Sequence, residues 1–436
     1  MGGYIPATTQ EQQEMLRAVG LDTMEALYDD IPAAAKLDSL ALPEKMSELE
    51  VLREMERLAA ENRVFRSCFR GAGAYRHYIP AIVKQVAAKE SFLTAYTPYQ
   101  AEVSQGILQL IFEYQSEMCA LTGMEVSNAS VYDGATAAAE AALMCRERKR
   151  QRVLVAGSAP RGVRQVINTY CDAAGMVCQQ VGEGATLDEA ALAAALGDDV
   201  ACLYLASPNH WGLIEPVEAA AGLCHAAGAK LVMGCNPIAL ALFKTPGELG
   251  ADIAVGEGQP LGMPLAFGGP YLGFMACRKE LMRRLPGRIV GQTQDADGRR
   301  CFVLTLQARE QHIRREKAQS SICSNQALCA LTATAYLAAM GPQGLAEAAA
   351  QCYAKAHYAA QKLDEVGFGR VHKGEFFHEF LTHCPAPAEK LMQALEAEGI
   401  LGGLVSGEGI LWCCTELNTK AEIDKLVKIC GEVASA

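Results

Sequence analysis

Hydrophobic residues change their spacing twice along this 436-residue chain. In the first sixty residues they recur at helical intervals on a polar, acidic background. The segment ATTQEQQEMLRAVG opens on a threonine cap and closes on Gly20, and Met46, Leu49, Leu52, Met55 and Leu58 share one face of a second helix. Between residues 150 and 275 the apolar positions gather into short unbroken runs: RVLVAGS (152–158), MVCQQVG (176–182), VACLYLASPN (200–209), KLVMGCN (230–236) and ADIAVGE (251–257). Helix-spaced segments at 162–175, 187–198 and 217–229 separate them. Solid apolar strands alternating with helices predict an α/β fold whose mainly parallel sheet is covered on both faces. Ligands in such sheets bind at the carboxyl ends of the strands. Beyond residue 330 the pattern shifts again. An apolar helix closes on Gly341, a long alanine-rich helix follows, and helix and strand then alternate to the end. The chain therefore divides into an N-terminal helical region (1–62), a large α/β domain (63–330) and a small C-terminal α+β domain (331–436).

Composition narrows the function. Half of the residues are hydrophobic and the formal net charge is −11, which argues against nucleic acid or an anionic membrane as partner. The 17 cysteines form no C-x-x-C pair, so neither a zinc site nor a disulfide framework is expected. They read as small buried hydrophobes in a reducing compartment. No apolar stretch is long enough to span a bilayer, and MGGYIPATTQEQQEML lacks the charged and apolar regions of a signal peptide. The expectation is a cytoplasmic protein without a metal.

Four stretches could carry chemistry. VGEGQPLGMPLAFGGPYLGFMA (255–276) reads as a tight glycine-rich loop after a buried strand, yet it holds no lysine. Its G-x-G-x-x-x-G spacing, with Pro260 and Pro264, does not suit a dinucleotide, because no helix can start there. In YTPYQAEVSQGILQ, residues Tyr96, Thr97, Tyr99, Gln100 and Glu102 surround Pro98 ahead of a helix expected from Glu102 or Val103. This is either an anion pocket or a proline-containing cap with surface tyrosines. Asp133-Gly134 leads into a helix whose Ala135 and Thr136 amides would face any phosphate present, although tight packing of an alanine-rich helix explains the same composition and is the favoured reading. Arg309, His312 and Arg315, with Gln311 and Arg314, fall on neighbouring faces of an expected helix, either as a carboxylate clamp or as a solvated basic face.

Taken together, RGAGAYRHYIPAIV (70–83), TAYTPYQAEVSQGILQ (94–109), NASVYDGATAAAEA (128–141), GEGQPLGMPLAFGGPYLGFMA (256–276), LPGRIVGQTQDADG (285–298), REQHIRREKA (309–318) and TELNTKAEID (415–424) resemble the P-protein (glycine decarboxylase) family of the glycine cleavage system. The resemblance is greatest to the alpha subunit of its two-subunit bacterial form. It implies the type I, aspartate-aminotransferase-like fold of pyridoxal phosphate enzymes. It also implies a reaction in which glycine loses carbon dioxide and its aminomethyl group passes to the lipoyl arm of H-protein. In the split form the cofactor-bearing lysine belongs to the beta subunit, and the alpha subunit is a degenerate copy with no covalent catalytic residue. Gln259 is then the nearest long polar side chain to the missing lysine, and Asn236 stands where such sites carry an aspartate.

The same resemblance assigns Tyr96, Thr97, Tyr99, Gln100 and Glu102 to a glycine pocket at the subunit interface. It assigns Gly268, Gly269, Arg309, His312, Arg315, Ser320 and Ser324 to the interface or the cofactor wall. The AQSSICS segment (318–324) departs from the family pattern at Gln319 and Ser321. The alternatives are a structural or regulatory pseudoenzyme of the same fold, or a stand-alone lyase or aminotransferase using Lys244 or another lysine.

Overall fold

A computed structural model describes residues 7–37, 39–318, 322 and 326–435. The chain forms two compact units, Met1–Arg63 and Val64–Ala436. In the first, α1 (Thr9–Ala18) and α2 (Glu48–Ala60) each begin with a capping box. Thr8 pairs with Glu11 and Ser47 with Glu50, the S/T-x-x-E pattern that satisfies two end amides reciprocally. Short 3₁₀ turns at Glu25–Tyr28 and Ala33–Ala35 separate the helices. Leu49, Leu52, Met55 and Leu58 of α2 are exposed.

The second unit runs β1 (Ser67–Cys68), α3 (Ala81–Ala87), α4 (Glu90–Leu93), α5 (Gln105–Thr122), β2 (Val126–Ser127) and α6 (Gly134–Met144). Then come β3 (Arg152–Ala156), α7 (Arg161–Ala174), β4 (Val177–Val181), α8 (Glu189–Ala195), β5 (Val200–Ala206), α9 (Val217–Ala226), β6 (Lys230–Gly234), β7 (Ile253–Glu257) and β8 (Gly273–Cys277). Seven strands form one sheet in the order β2-β8-β7-β6-β5-β3-β4, in which β3 to β7 are parallel and β8 pairs antiparallel with both neighbours. Alternation along the strands sends side chains to two opposite cores. Leu154, Leu203, Leu205, Leu231 and Met233 enter one. Val153, Val155, Tyr204, Val232 and Val255 enter the other. The edge strand β4 is mostly exposed, whereas burial on both faces is why β3, β5, β6 and β7 read as solid apolar runs. Each such side chain contributes roughly 1.5–3 kcal/mol.

A hairpin of β9 (Ile289–Gln294) and β10 (Arg300–Thr305) follows, clipped to α5 by two glutamines. Gln105 exchanges hydrogen bonds with the backbone N and O of Phe302 at 2.9 and 2.8 Å, and Gln115 does the same with Val290 at 2.9 and 3.0 Å. After α10 (Gln311–Arg314) comes α11 (Ala327–Asp364), two helical arms that meet at Gly341, where φ is +61°. Last come β11 (Glu379–Thr382), α12 (Ala388–Ala397), β12 (Ile400–Leu401), β13 (Leu404–Ser406), β14 (Gly409–Cys413) and α13 (Lys420–Ala434). The antiparallel sheet β11-β14-β13 packs Phe380 and Trp412 with Ile423 and Leu426 in a core of its own.

Three local expectations need correction. Strand β8 lies inside the stretch read as loop, because its glycines and prolines masked the apolar run GFMAC. Residues 307–317 are not one helix: 3₁₀ turns flank the four-residue α10, and Leu306 and Arg315 have φ of +53° and +57°. Helix α5 starts at Gln105, after a separate 3₁₀ turn at Ala101–Val103. Among the described residues no helix is long and apolar enough to cross a membrane.

Candidate functional site

Strands β5, β6 and β7 end side by side, and the N-terminus of α6 faces their ends. Between them is a cleft of about 360 Å³ lined by Tyr75, Asp133, Gly134, Tyr204, Asn236 and Glu257, among others. Glycines allow this approach: a Cβ on Gly134 would lie 2.8 Å from the Glu257 nitrogen, and one on Gly256 would lie 2.3 Å from the Cys235 carbonyl. Two of the first amides of α6, Gly134 and Thr136, are already bonded to carboxylates. The Thr136 amide donates to Asp133 Oδ1 at 2.8 Å, so it does not face an incoming phosphate as the sequence suggested. The Gly134 amide donates to Glu257 Oε2 at 3.0 Å. Glu257 Oε1 accepts from the Gln259 and Leu272 amides at 3.0 and 2.9 Å. Burial pushes this carboxyl up to about 7, against those three hydrogen bonds.

Gln259, which is fully buried, clasps the segment that forms the cleft's other wall. Its Oε1 accepts from the Tyr75 amide at 2.8 Å, and its Nε2 donates to the Tyr75 and Met263 carbonyls at 2.8 and 2.7 Å. Glu379, on β11, holds the same segment by accepting from the Ala72 amide at 2.6 Å and the Tyr75 hydroxyl at 2.7 Å. Burial raises the Glu379 carboxyl to about 7. Arg70 donates to the Gly402 and Gly403 carbonyls. The RGAGAYRH motif is therefore a strap tying the cleft to the C-terminal sheet. Its charged and aromatic residues were visible in sequence, but their partners, roughly 180 to 340 positions away, were not.

One further group has metal-ligand geometry. His77, Cys352 and Glu416 bring ligand atoms within 4.8 Å of one another. Glu416 Oε2 contacts His77 Nδ1 at 2.8 Å and accepts from Cys352 Sγ at 3.2 Å. Burial opposes ionisation of Glu416, but these bonds and the Tyr78 amide outweigh it and hold the carboxyl at about 2. His77, Cys352 and the Tyr78 amide thus engage both carboxylate oxygens of Glu416.

The residues expected around Pro98 lie elsewhere. Tyr96, Thr97, Tyr99 and Gln100 line an open groove of about 860 Å³ that shares no lining residue with the strand-end cleft. Tyr96 is 82% exposed. The guanidinium of the buried Arg288 sits 5.2 Å from the centre of the Tyr99 ring, a contact sequence reading missed although its motif was visible. Glu102 is exposed on the 3₁₀ turn and is not part of the groove lining. Ser104 makes no side-chain cap for α5. Arg309 donates to the Leu285 and Gly287 carbonyls, and burial lowers its pKa. It braces the turn that carries Arg288. His312 is exposed beside Glu310 at 3.7 Å, and Arg315 is exposed. Gly268 and Gly269, at φ of +104° and +126°, follow the fully exposed Phe267 on a surface loop. Ser320 and Ser324, like Gln319 and Ser321, lie outside the described residues.

Comparison with known proteins places this geometry. The family described as "Glycine cleavage system P-protein" matches residues 2–430. A "Probable glycine dehydrogenase (decarboxylating) subunit 1" from Moorella thermoacetica is 52% identical, covering 97% of this chain and 98% of that protein. A crystal structure of the glycine decarboxylase P-protein of the glycine cleavage system, in inhibitor-bound form, superposes with a TM-score of 0.92 at 42% identity, covering 99% of this chain and all of that one. An aspartate aminotransferase from Thermus thermophilus, 16% identical with a TM-score of 0.58 over 85% of this chain and 99% of its own, shares the fold alone.

The residues of the strand-end cleft do not fit the pyridoxal phosphate that such a fold implies. No lysine lines the cleft among the described residues. Lys244, the lysine of the stand-alone enzyme reading, is exposed and 3.4 Å from Glu218. Asn236 carries no charge, and its Oδ1 accepts from the Ile238 and Ala239 amides in a local turn. The helix end that would receive a phosphate is occupied by Glu257. The fold, the profile match and identity over nearly the whole length agree: the chain belongs to the glycine cleavage system P-protein family.

Proposed function

We propose that this chain is the first of two subunits of a cytoplasmic glycine decarboxylase. Its second, beta subunit carries pyridoxal phosphate on a lysine, and lipoylated H-protein accepts the aminomethyl group released with carbon dioxide from glycine. The name "subunit 1" borne by the relatives implies such a second subunit. One observation supports the division of labour: no lysine lines the strand-end cleft among the described residues, and Gln259, the nearest long polar side chain, has its amide fully engaged with Tyr75 and Met263. An amide cannot form the covalent link that lysine provides.

The chain's own contribution is then a surface. Tyr96, Thr97, Tyr99 and Gln100 present hydroxyls and an amide in an open groove, and Arg288 lies behind Tyr99. We assign this groove to the glycine pocket shared with the second subunit, where it would orient the substrate's charged ends and exclude water. The exposed Phe267, held out by Gly268 and Gly269, belongs to the same contact surface. Each subunit purified alone should be inactive in glycine–bicarbonate exchange, and co-expression should restore exchange. Full exchange by the second subunit without this chain would refute the proposal.

A further inference from the structure

The N-terminus of a helix that opens into a strand-end cleft is a ready place for an anion, because its first amides point outward and the macrodipole favours negative charge. Helix α6 has 11 residues and opens into such a cleft. An anion is already present there, as part of the neighbouring strand. Glu257 gathers three backbone donors: Gly134 on α6, then Gln259 and Leu272 at the two ends of the loop that follows β7. It therefore joins α6 to β7 and ties the two ends of the loop together in one contact.

We infer that Glu257 is a built-in substitute for a ligand anion, and that it makes this chain reject phosphorylated ligands, pyridoxal phosphate included, even without covalent attachment. Two arguments support this. A phosphate would have to displace a carboxylate that the chain holds in place, competing with an intramolecular ligand at high effective concentration. The Asp133 carboxylate also caps the same helix end, so an arriving dianion would meet two negative groups there. The inference stands on the contact between α6 and β7 and not on the partnership with a second subunit. Glycine exchange tests that partnership separately.

The test is binding of inorganic phosphate and of pyridoxal phosphate to the full chain, by calorimetry at pH 8, for the native protein and for Glu257→Ala. Removing the carboxylate leaves three converging amides without an acceptor and turns the position into an anion site. The native chain should show no saturable binding. The variant should bind both phosphates at least about tenfold more tightly and should not respond to pyridoxal lacking the phosphate. If Glu257→Ala does not fold, Glu257→Gln keeps the volume and removes the charge. It should bind phosphate more tightly than the native chain, because a neutral amide yields those donors to an anion more readily. Saturable phosphate binding by the native chain that is unchanged in the variant would overturn the inference, as would a folded variant that refuses phosphate as the native chain does.

Discussion

Gln259→Leu probes the buried amide that clasps one wall of the strand-end cleft. The side chain is fully buried, and three hydrogen bonds depend on it, to the Tyr75 N and O and to the Met263 O. Leucine keeps much of the volume and removes all three bonds. A buried polar group left without a partner costs roughly 1–3 kcal/mol. The Tyr75 amide alone sets the lower end of that loss, and the two carbonyls add to it. The added apolar burial returns about 1–2 kcal/mol. The expected net destabilisation is about 2–4 kcal/mol. Urea unfolding of the full chain measures it, followed by fluorescence of Trp211 and Trp412. A midpoint corresponding to a change below about 0.5 kcal/mol would show that the clasp carries no stability and would refute the reasoning. Gln259→Lys should be at least as damaging. Its ammonium donates to the carbonyls, but nothing then accepts from the Tyr75 amide, and a charge is buried. It should gain no pyridoxyl adduct.

Glu379→Gln tests a pH dependence. The folded carboxyl is raised by burial to about 7 from the ordinary glutamate value of 4.5, so the native chain binds more protons than the unfolded one between those values. Its contribution therefore falls as pH rises through that window, by about 3 kcal/mol at most. Glu257 adds in the same direction, whereas Glu416, held at about 2, acts only at lower pH. Melting curves should show the variant gaining on the native protein between pH 5 and 8, and a constant difference would contradict this. Gly134→Ala places a Cβ 2.8 Å from the Glu257 backbone and should cost roughly 1–3 kcal/mol, read by calorimetry. A melting temperature equal to the native value would show that the approach of α6 to β7 is looser than described. Tyr96→Phe, at an exposed position of the groove, should leave melting unchanged and lower glycine exchange at least about tenfold, whereas Glu102→Gln, outside the groove lining, should change neither. Native exchange in Tyr96→Phe would remove this stretch from the substrate pocket.

The central sheet was legible because β3, β5, β6 and β7 are buried on both faces, so apolar runs such as VACLYLA need no periodicity to be recognised. The capping boxes at Thr8 and Ser47 were legible because they are local. Strand β8 was missed because its apolar run is only five residues long and follows Gly268, Gly269 and Pro270, which read as turn. The Arg309 cluster misled for a related reason. Helical spacing suggested a shared face, but the backbone breaks at Leu306 and Arg315, and Arg309 is committed to two carbonyls. The missing lysine could be read from residue types alone. The roles of Gln259 and Glu257 could not, because both are defined by backbone groups brought to them by the fold, at Tyr75, Met263, Gly134 and Leu272. Gln105, Gln115 and Gln259 make the same kind of contact, an amide paired with one residue's N and O, and no sequence spacing announces it.

The most direct test of the account is to co-purify the chain with its second subunit, reduce the complex with borohydride and map the pyridoxyl-lysine by peptide mass. The account predicts one stoichiometric pyridoxyl-lysine in the second subunit and none in this chain. A stoichiometric pyridoxyl-lysine on this chain, at Lys244 or any other position, would contradict it.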